Sequence, residues 1–118
     1  MIVSLDTSEL KKVRLRIDEG SKIKRHSYAI YADAALPKLM KLLGKKKPQR
    51  LGVVAGPGAF SATRTGVALM NALAYAWNVP IAKLVKDRFD SAALIPVGSH
   101  RPVAVVYGAA PNITKKKL

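Results

Sequence analysis

The sequence contains no cysteine, which excludes disulfide bonds, thiolate nucleophiles and cysteine-ligated metal sites. It has only two histidines, His26 and His100, and neither a His-x-x-x-His nor a His-Glu-x-x-His pair, so no histidine metal motif is present. Acidic residues are also scarce, seven against 21 lysines and arginines, which leaves few carboxylates for acid–base or metal chemistry. We therefore predict no metal, no cofactor and no catalytic residue.

Long apolar runs are missing as well. No stretch reaches the roughly 18 residues of a membrane-spanning helix, and the N-terminus lacks the basic and apolar regions of a secretory signal. Together with the absence of cysteine, this favours a cytoplasmic protein without a membrane contact. The 118 residues suffice for one domain, and a hydrophobic content of 49% argues against disorder.

Positive charge, in contrast, is abundant, with a formal net charge of +14 at pH 7. Such a field attracts polyanions and makes their binding depend strongly on salt. One interpretation is direct contact with a nucleic acid; the other is a basic surface that serves only solubility. Aromatic residues near the basic clusters are few, only Tyr28 and Tyr31, which argues against a stacking platform for single strands. The candidate RNA contacts are Lys11, Lys12, Arg14, Arg16, Lys22, Lys24, Arg25, Lys45, Lys46 and Lys47.

The hydrophobic pattern predicts alternating strands and helices. Apolar runs or strict alternation predict strands over 1–5, 12–18, 22–28, 51–55, 79–84 and 103–107. Helical spacing of apolar residues predicts helices over 32–43, 63–77 and 87–94. This order is typical of an α/β fold, a mixed sheet with flanking helices in a ribonuclease-H-like layout. We expect one such lobe over 1–110 and a basic tail over 111–118.

The second predicted strand, 12–18, has the clearest alternation. Its apolar residues should face the core, which places Arg14 and Arg16 on the opposite, solvent-facing side. Asp18 and Glu19 follow in a predicted turn, so we expect both carboxylates to be solvated.

A glycine-rich segment, Gly56-Pro57-Gly58-Ala59-Phe60-Ser61-Ala62-Thr63-Arg64-Thr65-Gly66, lies between a predicted strand and the longest predicted helix. It lacks the lysine of a Walker A loop and the Gly-x-Gly-x-x-Gly spacing of a dinucleotide-binding loop. Glycines at such a turn allow positive φ angles and close backbone approach. We expect Phe60 to anchor the loop in the core; phosphate binding at the loop is the alternative. The residues singled out are Gly56, Pro57, Gly58, Phe60, Arg64 and Gly66.

A second polar segment, Asp6-Thr7-Ser8, follows the first predicted strand. One interpretation is a polar turn whose side chains satisfy their own backbone. The other is an Asp6 carboxylate that holds a metal-bound water. Since no second carboxylate is placed to assist Asp6, we favour the turn.

The helix over 63–77 is apolar nearly all round, so it must be covered on more than one side. Ala68, Ala72 and Ala76 recur every four residues and form a stripe that permits close packing, while Met70 lies on another face. Either the sheet and a neighbouring helix cover both sides, or a partner chain covers one. We favour a partner. The predicted partner contacts, on this helix and on 32–43, are Leu36, Leu39, Met40, Leu43, Val67, Met70, Asn71, Ala74 and Trp77.

These motifs resemble the TsaB or YeaZ-like family of tRNA threonylcarbamoyladenosine biosynthesis proteins. The resemblance spans about residues 1 to 95 and depends on Asp6-Thr7-Ser8, Leu36-Pro37, the segment from Gly56 to Gly66, and Val79-Pro80-Ile81. It implies an actin-like, ribonuclease-H-like fold and a non-catalytic subunit that binds a TsaD-like transferase through its two helices. Because the family usually has a second lobe of the same fold, we expect a reduced, single-lobe version.

The sequence departs from the family pattern at three positions. Ser61 stands where the family usually has threonine, Ala62 where it has glycine, and Tyr31 where many members have histidine.

Three hypotheses for the function remain. The first is a scaffold that activates a TsaD-like transferase through the helices over 32–43 and 63–77, with a homodimer as a further form. The second is a basic module that binds tRNA without such a partner, through 11–25 and 45–50. The third, which we favour least, is an enzyme that uses Asp6 and the glycine-rich loop on a nucleotide.

Overall fold

The computed structural model of the protein describes residues 1–91 and 94–106. Five strands form one sheet: β1 (Ile2–Glu9), β2 (Lys12–Glu19), β3 (Lys22–Tyr28), β4 (Arg50–Val54) and β5 (Ile81–Leu84). The helices are α1 (Ala35–Leu43), which a short 3-10 turn Ala32–Ala34 precedes, α2 (Phe60–Trp77) and α3 (Lys86–Asp90).

The sheet has the strand order β3-β2-β1-β4-β5. The first three strands form an antiparallel meander with turns at Leu10-Lys11 and Gly20-Ser21. β4 pairs in parallel with β1, and β5 with β4, through crossovers that contain α1 and α2. This arrangement confirms the predicted fold class, a mixed α/β sheet with flanking helices in a ribonuclease-H-like layout.

Local chemistry explains where the two long helices begin and end. Pro37 lies in the first turn of α1, where its missing N–H removes no helical hydrogen bond. Gly44 ends α1 with a φ of 60°, and its N–H donates to the carbonyl oxygen of Met40 at 3.0 Å. Asn78 ends α2 in the left-handed conformation. α2 begins at Phe60 rather than at the predicted residue 63.

α1 and α2 pack on one face of the sheet and build the larger core. The sheet contributes an apolar face to which Val3, Leu5 and Leu15 belong, and burying that face requires the apolar side of each helix. Five of the predicted partner contacts therefore lie in the core of this chain instead of on an exposed helix face. These are Leu39, Leu43, Val67, Met70 and Ala74.

The opposite face of the sheet is covered by α3 and the residues that follow it. Phe89 and Ile95 pack there against Val54, Ala82 and Leu84. The helix is shorter than the predicted one over 87–94, since α3 ends at Asp90.

Arg16 lies on this second face with its side chain completely buried. Its guanidinium forms a bidentate ion pair with Asp18, Nε to Oδ1 at 2.8 Å and Nη2 to Oδ2 at 2.9 Å. Nη1 also donates to the carbonyl oxygens of Arg88, Phe89 and Ser91, at 3.0, 3.3 and 2.8 Å. The predictions that Arg16 faces solvent and that Asp18 is solvated in a turn are therefore wrong, because α3 covers this side of β2.

The predicted strand over 103–107 does not form within its described residues, 103–106. Two other contacts hold this segment. The Val106 N–H donates to the carbonyl oxygen of Ala55 at 2.7 Å. The Asn71 side chain donates to the Val103 carbonyl oxygen at 2.9 Å and accepts from the Val103 N–H at 2.8 Å. Residue 107 and the predicted tail over 111–118 lie outside the described residues.

We expect the Arg16→Met substitution to lower the free energy of unfolding by about 3–5 kcal/mol, because it leaves the buried Asp18 carboxylate without its counter-ion. Denaturant unfolding followed by circular dichroism measures the change. Arg101→Met is the matched control: Arg101 is exposed, so its replacement should change stability by less than about 0.5 kcal/mol. Equal losses in both variants would contradict this account of Arg16.

Candidate functional site

The polar segment Asp6-Thr7-Ser8 lies inside β1 and is buried. It does not form the predicted turn, because β1 continues to Glu9. The Ser8 N–H nevertheless donates to the Asp6 carboxylate at 2.8 Å, the local bond expected of such a turn. Neighbouring side chains of a strand point to opposite faces, so Thr7 faces α2 while Asp6 faces the α3 side.

Asp6 is held by an arginine of the neighbouring strand. Arg14 Nε donates to Asp6 Oδ2 at 3.1 Å, Nη2 bonds the same oxygen, and Nη1 pairs with Asp90. Burial acts to raise the pKa of Asp6, but hydrogen bonds from Ser8 and Arg14 and the guanidinium charge outweigh it, so the pKa lies below its ordinary value. The geometry therefore gives Asp6 a role as an ion-pair partner rather than as a general base.

Metal binding has no support in the described part of the chain. Within residues 1–91 and 94–106, no group of three or more histidine or carboxylate side chains is arranged to hold an ion. The Asp6 carboxylate, the only ligand that the sequence suggested, is already engaged by Arg14.

Thr7 joins β1 to α2. Its hydroxyl donates to the carbonyl oxygen of Ala62 at 2.7 Å. A Cβ atom at Gly66 would lie 2.1 Å from the Thr7 hydroxyl oxygen, so this crossing of helix and strand requires glycine. The last glycine of the motif is thus explained by packing.

The glycine-rich loop closes over the end of β1. Gly56 has a φ of 113°, which favours glycine, and is joined to Pro57 by a cis peptide bond. The Ala59 N–H donates to the Ser8 carbonyl oxygen at 2.7 Å, and a Cβ atom at Gly58 would meet that oxygen at 2.6 Å. Both predicted roles of these glycines, positive φ and close backbone approach, are confirmed.

Phe60 does not anchor this loop in the core, contrary to the prediction. Its side chain is 57% exposed, and its ring lies 5.1 Å from the Arg64 guanidinium. The buried positions in the first turn of α2 belong to Ala62 and Thr63 instead, so Phe60 is left on the outer side of the helix.

The exposed sides of α1 and α2 carry the remaining predicted partner contacts. Leu36 and Met40 on α1 are 39% and 37% exposed. Trp77, at the end of α2, is half-buried. Asn71 is also half-buried, but its side chain is committed to the backbone of Val103.

The solvent side of α2 also contains residues that the sequence analysis did not include among the partner contacts. Ala68, Ala72 and Ala76 are exposed, and the side chain of Tyr75 is 91% exposed. Ala68 lines a groove of about 490 Å³ whose other wall is formed by residues of the 103–105 segment. The recurrence of alanine was visible in the sequence, but periodicity alone does not tell which stripe of an all-apolar helix faces the sheet.

Eight of the ten candidate RNA contacts are exposed; Arg14 and Arg16 are not, because they belong to the ion pairs beneath α3. Arg25 is exposed, although its guanidinium donates to the Ser91 carbonyl oxygen at 3.0 Å. We call the exposed lysines on the β1–β2 turn, on β2, on edge strand β3 and after α1 the basic edge. They are Lys11, Lys12, Lys22, Lys24, Lys45, Lys46 and Lys47.

The fold brings parts of the basic edge together. Lys24 of β3 and Lys46 of the α1–β4 connection line one cleft with His26. Lys46 Nζ lies 3.1 Å from a Glu19 carboxylate oxygen, and this hydrogen bond and charge lower the pKa of Glu19. Glu19 therefore offsets only one of the positive charges on this edge.

Comparison with solved structures places this arrangement among known folds. The chain matches YeaZ from Pseudomonas aeruginosa with a TM-score of 0.64 and 23% identity, over 71% of this chain and 43% of that one. A second match from Pseudomonas aeruginosa, an uncharacterized protein with similarity to peptidase YeaZ, has the same TM-score and identity and covers 71% and 42%. This is the YeaZ-like fold.

The YeaZ-like fold confirms the fold that the motif resemblance implied. The chain spans 42–43% of the length of the two structures that it matches. No protein-family model matches the sequence, and no curated protein matches it. In the described part of this chain, none of the helices has the apolar length that a membrane crossing requires.

We expect the Asp6–Arg14 pair to make stability depend on acid pH. Since the folded-state pKa of Asp6 lies below 3.8, its contribution to stability is complete above that value and is lost as the pH falls through the folded-state pKa. The difference in unfolding free energy between wild type and Asp6→Asn should be constant near neutral pH and shrink below about pH 4.

Denaturant unfolding across this pH range measures that difference. Asp33→Asn, which changes an exposed carboxyl group outside the ion-pair network, is the control and should show little change at neutral pH. If the difference in unfolding free energy between wild type and Asp6→Asn grew as the pH fell below about 4, the role assigned to Asp6 would be contradicted.

Proposed function

We propose that this chain is a non-catalytic scaffold subunit in tRNA threonylcarbamoyladenosine modification, and that it binds a TsaD-like transferase. The observation that supports this most is the match of fold to YeaZ, with a TM-score of 0.64. The resemblance of the Asp6-Thr7-Ser8 and Gly56 to Gly66 motifs to the TsaB or YeaZ-like family points in the same direction.

The proposed docking surface is the helix face, which we define as the solvent sides of α1 and α2. Both helices pack on the same face of the sheet, so their outer sides face the same way. The exposed alanine stripe on α2 permits close approach of another helix, and the same two helices also carry larger apolar side chains with exposed surface. The members of the helix face are Leu36, Met40, Ala68, Ala72, Tyr75, Ala76 and Trp77.

This surface revises the one predicted from the sequence while keeping the same two helices. The five predicted contacts in the core cannot reach a partner without loss of the fold, whereas the exposed stripe can. The engagement of Asp6 by Arg14 also supports a non-catalytic role, since that carboxylate was the candidate for chemistry.

We expect the Ala72→Glu variant to lose binding to the TsaD-like protein from the same genome. The substitution places an unpaired charge in the middle of the stripe, so affinity should fall at least about tenfold while the fold is retained. Co-purification, followed by size-exclusion chromatography of the mixture, measures complex formation, and thermal unfolding checks the fold.

The matched control for this experiment is Ser21→Glu, which adds the same charge to the exposed β2–β3 turn. It should bind as the wild type does. Undiminished binding by a folded Ala72→Glu variant would exclude the helix face, and absence of a complex with the wild-type chain would exclude the scaffold role.

A second function, direct binding of tRNA, is favoured by the basic edge. The chain carries +14 formal charges, and the lysines of this edge are exposed on neighbouring elements. Within residues 1–91 and 94–106, Lys46 is the one lysine of the edge that has a carboxylate ion pair. Such a surface binds phosphates without reading sequence.

We expect tRNA binding by the isolated chain to weaken steeply with salt. Replacing Lys45, Lys46 and Lys47 together by alanine removes up to three phosphate contacts. Since each contact releases roughly 0.7–0.9 of a counterion, the slope of log affinity against log salt should become shallower by about two. Titration of labelled tRNA at several salt concentrations measures the slope.

A control triple variant removes the same charge elsewhere. Lys83, Arg88 and Arg101 are exposed on β5, on α3 and after β5, and none of them belongs to the basic edge. Their replacement by alanine should change the slope less. Equal reductions would contradict a localised edge, and absence of binding at low salt would contradict the second function.

A further inference from the structure

A cleft of about 220 Å³ lies between the β1–β2 turn and the start of α2. Leu10 of the turn, Tyr31, Asp33, and Ser61 and Thr65 of α2 line it. Leu10 is 57% and Tyr31 53% exposed, so folding leaves two large apolar side chains in water beside a concavity. Exposed apolar groups around a cleft with a few polar groups are typical of a binding site.

Cations lie over exposed aromatic rings beside this cleft. Lys11 Nζ is 5.8 Å from the centroid of the Tyr31 ring. On α2, the Arg64 guanidinium is 5.1 Å from the centroid of the Phe60 ring. Arg64 lines the neighbouring groove of about 490 Å³, with which this cleft shares Ser61 and Thr65. In the sequence, only Tyr28 and Tyr31 lie near the basic clusters. In the fold, Phe60 is near the β1–β2 turn as well, because α2 starts next to that turn.

A third pair extends this surface along the basic edge. Lys38 Nζ, on α1, is 5.2 Å from the centroid of the Tyr28 ring at the end of β3. Tyr28 pairs across the sheet with Val13, close to the β1–β2 turn that forms one wall of the cleft.

This combination fits single-stranded nucleic acid better than other polyanions. Single strands bind where aromatic rings stack on bases and cations contact the phosphates between them. The cleft is smaller than the roughly 300–1,000 Å³ of pockets that enclose a drug-sized ligand, so it suits one planar base with its phosphates outside. An acidic peptide would make no use of the exposed rings.

We propose that this cleft binds one base of a single-stranded RNA, stacked on Tyr31, with a neighbouring phosphate on Lys11. Asp33 then accepts a hydrogen bond from an exocyclic amino group of the base. The proposal rests on the second function above, direct RNA binding, and adds a site where a base is recognised as well as phosphate.

The test compares a labelled single-stranded oligocytidylate with an abasic oligomer of the same length and charge. The oligocytidylate should bind more tightly to the full chain. Tyr31→Ala should weaken its binding by roughly fivefold to a hundredfold, the range expected for one stacked base, and leave the salt slope unchanged. Tyr31→Phe, which keeps the ring, should bind as the wild type does.

Tyr75→Ala is the matched control, since Tyr75 is an exposed tyrosine at the far end of α2. Lys11→Ala should lower the salt slope by nearly one, whereas Lys83→Ala should not. Thermal unfolding checks that each variant is folded.

The outcomes separate this proposal from the one on which it rests. Equal affinity for the oligocytidylate and the abasic oligomer, or equal effects of Tyr31→Ala and Tyr75→Ala, would overturn the stacking site and leave the basic edge standing. Polyglutamate that displaces the oligocytidylate as effectively as unlabelled oligocytidylate does would also overturn the stacking site and leave the basic edge standing. Absence of binding to every oligomer and to tRNA at low salt would overturn both.

Discussion

The layer formed by α3 and Ile95 on the second face of the sheet depends on the buried guanidinium of Arg16. Burying a cation is unfavourable unless its donors are all used, and the partners available here are Asp18 and the carbonyl oxygens at the end of α3. α3 must therefore end where those oxygens meet Arg16. This placement brings Phe89 onto the second face of the sheet, where it fills the core, and brings Asp90 within reach of Arg14.

The same network of ion pairs extends to the polar segment Asp6-Thr7-Ser8 of β1. Arg14 connects Asp90 of α3 with Asp6 of β1, so the ion pairs run from the outer layer into the central strand. The next residue, Thr7, turns to the other face and bonds α2. Asp6 and Thr7 of β1 thus connect the two layers of the fold, and their bonds to Arg14 and Ala62 account for these two buried polar side chains in a central strand.

Much of the fold could be predicted because it depends on local patterns. Alternation in 12–18 identified β2, and the glycine-rich segment identified the turn into α2. The polar side of β2 could not be predicted, since alternation does not tell whether a later segment covers it, and α3 does so from more than 70 residues away. The core side of α2 was ambiguous for a similar reason: Met70 and Ala72 are both apolar, and only the sheet decides that Met70 is buried.

The bond between Asn71 and the 103–105 segment has a consequence for variation in this protein. Asn71 bonds the backbone N–H and carbonyl oxygen of residue 103, so neither hydrogen bond involves the side chain there. Any residue except proline, which lacks the N–H, keeps both hydrogen bonds. The half-buried Val103 side chain also packs against the larger core. The wall of the groove beside α2 can therefore exchange one apolar side chain for another at residue 103 while Asn71 still holds the backbone of that wall.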